Sequence, residues 1–232
     1  MIPASTRELL ENQNADVFVT SIFHDAGSAA ACLTSSLQVE DMVVLHMLRQ
    51  HAPEIPVIFL DTGYHFAETY AYRDRIVQEW SINLHNVVPE TTVAQHEKAV
   101  GKQYLVEPTA CCGSRKVAPL MRSLQPFDLW FTGLRREQSP TRANLKKVEE
   151  HQLPTGKKLW KLSPLADWTW QQVWDYITAH NIPHLPLYDQ GYRSIGCEPC
   201  TQLSTDPNNP RAGRWGGKKL ECGIHTFSEA KG

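Results

Sequence analysis

Apolar positions in residues 5–25 are scattered (Leu9, Leu10, Val17, Phe18, Ile22, Phe23) and predict a helical segment that Gly27 stops. Residues 29–35 form a short apolar run ending in small polar residues, the pattern of a buried strand. Val39, Met42, Val43, His46 and Met47 then recur at helical spacing, so Ser35-Ser36 falls at a strand-to-helix turn. A second buried strand is expected at 56–60 and is closed by Asp61-Thr62-Gly63. A helix over about 66–80 and a strand near 82–88 follow, then a helix over 116–124. Residues 128–132 predict another strand, closed by Gly133. The best-patterned late helix spans 168–180, with Trp170, Val173, Trp174 and Ile177 on one face.

Strands alternating with helices predict an α/β fold, a mostly parallel sheet with helices on both faces. Such sheets bind ligands at the carboxyl ends of their strands. Here those ends carry Ser35-Ser36, Asp61-Thr62-Gly63, and Gly133 leading into Arg135-Arg136. Beyond residue 181 the chain is rich in Pro, Gly and Asn.

The length of 232 residues fits one large domain, alone or with an added subdomain. A formal net charge of -2 gives no global basic bias toward nucleic acid. No apolar run is long enough to cross a bilayer, and residues 1–11 lack the basic-then-apolar pattern of a secretory signal. The expected compartment is a reducing cytoplasm. There the six cysteines are expected to bind metal or catalyse rather than to form disulfides.

Four cysteines form two close pairs, Cys111-Cys112 and Cys197-x-x-Cys200. A turn brings the C-x-x-C sulfurs together, whereas neighbouring side chains such as those of Cys111 and Cys112 diverge. An iron–sulfur cluster spreads its attachment points and tolerates that divergence better than one Zn²⁺ does, which favours a cluster. Structural zinc, or a redox-active dithiol with two incidental cysteines, are the alternatives. Cys32 lies in an apolar strand and is expected to be a core residue.

Arg115 and Lys116 follow the first cysteine pair, Arg135, Arg136 and Arg142 follow a strand end, and Arg211 and Arg214 lie in Pro-Arg-Ala-Gly-Arg-Trp. Cations beside hydroxyl groups at strand ends suit an anionic small molecule such as a nucleotide. Ser35, Ser36 and the helix start after them add donors for phosphate or sulfate. For any single arginine a solvated surface is the simpler account. Cys222 sits among Gly213, Gly216, Gly217 and Gly223. Lys218, Lys219 and His225 can stabilise a thiolate there, and Glu221 opposes them. Chemistry alone leaves a nucleophile and an incidental exposed thiol about level.

From about residue 29 to 225 the motifs LTSSLQVEDM, LDTG, CCGSRKVAPL, FTGLRREQSPTR, GCEPC, RAGRW and KKLECGIH occur in one order. In them the chain resembles the thioredoxin-dependent adenylyl-sulfate and phosphoadenylyl-sulfate reductases. That resemblance implies an adenine nucleotide alpha hydrolase-like (Rossmann-like) fold with three parts. These are an N-terminal helical segment (1–28), a nucleotide-binding reductase domain with an iron–sulfur site (29–205), and a mobile tail (206–232). It implies that Cys111, Cys112, Cys197 and Cys200 hold a [4Fe-4S] cluster, a set that phosphoadenylyl-sulfate enzymes typically lack. It makes Cys222 the catalytic nucleophile. Ser35, Lys116, Arg142, Arg211, Arg214 and His225 look like contacts to adenosine 5'-phosphosulfate, beside the strand-end candidates Ser36, Asp61, Thr62, Gly63, Arg135 and Arg136. An S-sulfocysteine on Cys222 would then be released as sulfite by thioredoxin or a glutaredoxin-like reductant. Nucleic acid and membranes are not expected partners, and relatives form homo-oligomers.

The sequence departs from the pattern twice. One Trp215 precedes Gly216-Gly217 where relatives often carry more aromatic residues, which bears on how the tail packs. Leu37-Gln38-Val39 stands where ATP pyrophosphatases have a glycine-rich loop, which counts against ATP hydrolysis. The alternatives are a phosphoadenylyl-sulfate or dual-substrate reductase, an ATP pyrophosphatase-type adenylating enzyme, and a non-enzymatic zinc or nucleotide-binding module.

Overall fold

The structure is a computed structural model that describes residues 2–25, 29–204, 206, 209–217, 219 and 221–224. Gly27, Lys218 and His225 lie outside the described residues.

Two helices, α1 (Ala4–Glu11) and α2 (Ala15–Asp25), stand where one segment was expected, divided at residues 12–14. Next come β1 (Ala31–Thr34), α3 (Val39–Arg49), β2 (Val57–Leu60), α4 (Ala67–Trp80) and β3 (Leu84–Val87). Three short helices follow, α5 (Val93–Val100), α6 (Gln103–Val106) and α7 (Pro108–Cys112). A π-helical turn (Gly113–Val117) links α7 to α8 (Ala118–Ser123), so the helix expected at 116–124 begins in that wider turn. The rest is β4 (Leu129–Phe131), β5 (Val148–Gln152), β6 (Lys158–Leu162) and α9 (Trp170–Ala179). Capping boxes start α5 (Thr92 with Gln95) and α9 (Thr169 with Gln172), each satisfying end amides that a helix leaves open.

The sheet order is β3-β2-β1-β4-β6-β5. Every neighbouring pair is parallel except β5 with β6, an antiparallel hairpin at one edge. Alternate side chains divide between the two faces, as strand geometry requires. Leu33, Val57, Phe59, Leu129 and Phe131 join the main core with α2, α3 and α9. Cys32, Ile58 and Trp130 pack on the other face against Val117, Leu120, Met121 and Leu124. Cys32 is therefore a core residue, fully buried. Of the expected α9 stripe, Val173 and Ile177 are buried, while Trp170 and Trp174 pack on the core partly exposed. Leu10, Ala15, Phe18, Val19 and Ile22 share the main core, so the N-terminal helices are continuous with it.

From β1 the sheet grows one way through β2 and β3 and the other way through β4 and β6. The ends of β1 and β4 thus flank the point where strand order reverses, the place where open α/β sheets bind ligands. Among the described residues no helix is long and apolar enough to cross a membrane.

Candidate active site

A cavity of about 380 Å³ opens at this switch point. The β1 end supplies Thr34, Ser35 and Ser36, and the β4 end supplies Thr132, Gly133 and Arg135. Local hydrogen bonds set the first of these loops. Ser36 donates its N–H (2.6 Å) and hydroxyl (2.9 Å) to Asp41 Oδ2, and Leu37 N–H donates to Ser35 Oγ (3.0 Å). Leu37 is buried with φ of 59°, a left-handed conformation that glycine adopts more readily. A side chain thus fills the turn that a glycine-rich loop would leave open. Burial pushes the Asp41 carboxyl up to about 6, against the lowering effect of the Ser36 hydrogen bonds. Gly133 leaves no room for a side chain: a β-carbon there would stand 2.5 Å from Asp41 Oδ1.

Of the sequence candidates, Ser35, Ser36, Lys116, Arg135, Arg142, Arg211, Arg214 and Cys222 all line this cavity. Arg135 is deeply buried and tied to Glu40 (2.8 Å) and Glu137 (2.7 Å), so its charge is balanced inside the protein. Asp61, Thr62, Gly63 and Arg136 stand away from the lining. Asp61 accepts from Gly63 N–H (3.0 Å) and Tyr70 Oη (2.7 Å), which stiffens the turn after β2. Arg136 reaches Leu145 O (2.7 Å) and Glu11 (2.6 Å), tying the β4 loop to α1. The lining also includes His65, Gln138, Trp170 and Trp215, which sequence reading did not select. His65 lies just past the β2 end, so the rule that selected Asp61 could have reached it.

Thr62 faces a second, smaller chamber, and Gly63 lines neither. The second chamber is lined by Cys111, Cys112, Cys197 and Cys200 together with Lys116, Arg115 and Arg214. Thr62 Oγ1 lies 3.3 Å from Cys197 Sγ, and its carbonyl accepts from Arg115 Nε (2.7 Å). A β-carbon on Gly63 would stand 2.6 Å from Val93 Cγ2, and the backbone there has φ of 75°, so the turn beside Arg115 favours glycine. Burial and then the neighbouring cysteines push Cys111 and Cys200 up to about 11. Thiols so placed resist ionising together unless cations compensate them. Among the described residues, no three His, Cys, Asp or Glu side chains converge closely enough to hold a single metal ion.

Lys116 and Arg214 line both chambers. Both are buried. For Lys116, burial lowers the ammonium pKa, but thiolate charge at Cys197, Cys222 and Cys112 outweighs it and raises the net value. For Arg214, burial dominates and lowers it. The tail is held to the C-x-x-C segment by Gln202 N–H to Gly213 O (2.8 Å) and a bridge between Thr201 and Arg214. Trp215 is buried beneath three cations, Arg214 at 4.4 Å, Lys219 at 5.0 Å and Arg211 at 5.5 Å from its ring centre. One tryptophan therefore organises this stretch of tail. Lys219 Nζ is 3.3 Å from Pro108 O, at the start of α7.

Residues 30–203 match the phosphoadenosine phosphosulfate reductase domain family. An adenosine 5'-phosphosulfate reductase of Rhodococcus opacus is 40% identical over 96% of this chain and 89% of its own length. The adenosine 5'-phosphosulfate reductase of Mycobacterium tuberculosis is 44% identical over 80% of this chain and 72% of its own length. The crystal structure of phosphoadenylyl-sulfate (PAPS) reductase from Candida auris, a phosphate complex, superposes with a TM-score of 0.73. It covers 87% of this chain and 98% of that one at 23% identity, a likeness of fold.

Proposed function

The chain belongs to the phosphoadenosine phosphosulfate reductase family, and we propose that it reduces adenosine 5'-phosphosulfate to sulfite and AMP with electrons from thioredoxin or a glutaredoxin-like dithiol. The observation that carries this reading is that Cys222 lines the same switch-point cavity as Ser35, Lys116, Arg211 and Arg214. A thiol and a set of cations and hydroxyls thus share one anion-sized space.

In this mechanism the adenylate lies across the β1 and β4 ends, and its phosphosulfate faces Lys116, Arg211 and Arg214. Cys222 thiolate attacks the sulfur, forming an S–S bond as the S–O bond to the phosphate breaks, and AMP departs with that electron pair. The cations stabilise the charge on the leaving phosphate. A thioredoxin thiolate then attacks Cys222 Sγ and releases sulfite, and its second thiol closes a disulfide that frees Cys222. The external dithiol must reach Cys222, so Cys222 has to leave the cavity between the two steps.

Cys111, Cys112, Cys197 and Cys200 would hold a [4Fe-4S] cluster. Their shared chamber, with the cations Arg115, Lys116 and Arg214 beside them to offset thiolate charge, supports this fit. Such a cluster supplies fixed charge beside the cavity, and Lys116 and Arg214 stand between the two chambers. Free cysteines and a dithiol reductant together favour the cytoplasm as compartment.

The test is to incubate the protein with adenosine 5'-phosphosulfate, without reductant, and map modified peptides by mass spectrometry. A sulfonate on the Cys222 peptide is expected, and its absence or its presence elsewhere refutes the nucleophile. Turnover on the 3'-phosphorylated substrate is expected to be at least tenfold lower. Stoichiometric zinc in place of iron and sulfide refutes the cluster.

A further inference from the structure

The residue before Cys222 is an acid, and its surroundings are specific. Glu221 Oε1 accepts from Arg142 Nε (3.0 Å) and Thr141 Oγ1 (3.0 Å). Its Oε2 accepts from Arg142 Nη2 (2.7 Å) and Arg211 Nη2 (3.4 Å). The Arg142–carboxylate contact is therefore bidentate, and both side chains are about nine-tenths buried, 11% and 10% exposed. The remaining Arg142 nitrogen, Nη1, donates to Gln138 Oε1, so the guanidinium is committed within the protein on all three nitrogens. Gln138 in turn donates to Glu40 (2.9 Å), which pairs with Arg135. A chain of charged contacts thus runs from the tail, through the loop after β4, to the start of α3.

We propose that Glu221 is a positioning residue: its carboxylate, gripped by Arg142 and Arg211, is the anchor that seats Cys222 against the cavity. This rests on the reading of Cys222 as nucleophile. Trp215 and Arg214 hold the tail some seven residues upstream, and Gly216 and Gly217, both with positive φ, lie between that hold and Cys222. Among the described residues between them only Lys219 makes a further hold, on Trp215 and Pro108 O, so Glu221 is the contact nearest the nucleophile. The acid suits this task because it stays charged. Burial opposes ionisation, but the Arg142 hydrogen bonds and the charges of Arg142 and Arg211 outweigh it and keep the carboxyl below its ordinary value. Two guanidinium groups around one carboxylate also leave the cavity net positive. A contact made of ions and hydrogen bonds can open and close as the reaction needs, which a buried apolar plug does less readily.

The experiment compares wild type with Glu221→Gln and Glu221→Asp in two ways. The first is the rate at which iodoacetamide alkylates Cys222 without substrate, read from the Cys222 peptide. Glu221→Gln should alkylate Cys222 at least fivefold faster, and Glu221→Asp, which keeps the charge, should fall between it and wild type. The second is steady-state kinetics, in which kcat should fall tenfold or more for Glu221→Gln while KM rises no more than about twofold. Unchanged alkylation in a folded Glu221→Gln variant, or a change confined to KM, overturns the proposal. If Glu221→Gln fails to fold, Glu221→Asp decides on the same two readouts. Alkylation reports seating whatever the chemistry, so a wild type that forms no Cys222 sulfonate refutes the nucleophile separately.

Discussion

Gly196 and Arg214 occupy one space: a β-carbon on Gly196 would stand 2.0 Å from Arg214 Nη2. The backbone before the C-x-x-C pair is thus the floor on which this guanidinium lies. Arg214 Nη1 donates to Ile195 O (3.0 Å) and Ser194 Oγ (3.2 Å) from there. The clash in Gly196→Ala is with the end of a long side chain, which can swing away. The fold should therefore survive while Arg214 leaves both chambers. The expected result is a melting temperature within a few degrees of wild type and kcat/KM reduced tenfold or more. Full activity in Gly196→Ala would remove Arg214 from the site.

Asp41 gives a pH signature of defined sign. Its carboxyl is pushed up to about 6 from the ordinary 3.8, chiefly by burial, so the folded chain holds this proton more tightly than the unfolded chain. The stability it contributes is present below about pH 4 and is lost as pH rises to about 6. Asp41→Asn removes that dependence but weakens the contacts to Ser36. Urea unfolding of both proteins at pH 4.5 and pH 7 should show wild type losing ground to the variant on going to the higher pH. An equal difference at both values contradicts the shift.

Strands β1, β2 and β4 were legible because each is a short apolar run closed by small polar residues, as in Pro-Val-Ile-Phe-Leu before Asp61. The β5–β6 hairpin was not, because its charged residues break the apolar pattern. Those charges pair across the strands, Lys161 with Glu149 (3.2 Å) and Lys158 with Glu150 (2.7 Å), a satisfaction that exists only after pairing. The π-helical turn after Cys112 is invisible to helical periodicity, yet it is what carries the chain from the cysteine pair to Lys116. Strand-end logic brought Ser35, Ser36 and Arg135 to the cavity but could not tell that Thr62, at the β2 end, faces the cysteines instead. Glu221 reversed its sign of effect: beside Cys222 in sequence it opposes a thiolate, but in space Arg142 and Arg211 take up its charge.

Thr62 links the turn after β2 to the cysteine chamber through its 3.3 Å contact with Cys197 Sγ. On the proposal that Cys197 ligates a [4Fe-4S] cluster, a hydroxyl beside that sulfur would stabilise the charge it carries. Thr62→Val keeps the shape and removes that contact. The variant should fold and bind iron near wild-type stoichiometry, and its visible absorption should bleach in air several-fold faster. Identical bleaching rates would show that Thr62 does not act on the sulfur.

Lys147 tests how the N-terminal segment joins the rest. Its ammonium is fully buried, 2.8 Å from Asp167 Oδ2, and also donates to the Gln13 carbonyl. Its own N–H donates to Glu11 Oε2 (2.8 Å), while Glu11 Oε1 holds Arg136 (2.6 Å). The link between α1 and α2 is thereby fixed to the start of β5 and to the loop after β4. Lys147→Met keeps most of the side-chain volume and removes the charge. Asp167 is about half exposed and can turn to water, but the Gln13 carbonyl loses its partner, at about 1–3 kcal/mol. Lys147→Ala should cost more, because it also opens a cavity. Since Leu10, Phe18 and Ile22 belong to the main core, unfolding should remain one cooperative transition shifted to lower denaturant in both variants. Limited proteolysis should release no stable fragment lacking residues 1–25. A stable fragment of that kind, or a Lys147→Met variant as stable as wild type, would mean that the N-terminal helices are an appendage rather than part of the fold that positions Arg136 and the loop after β4.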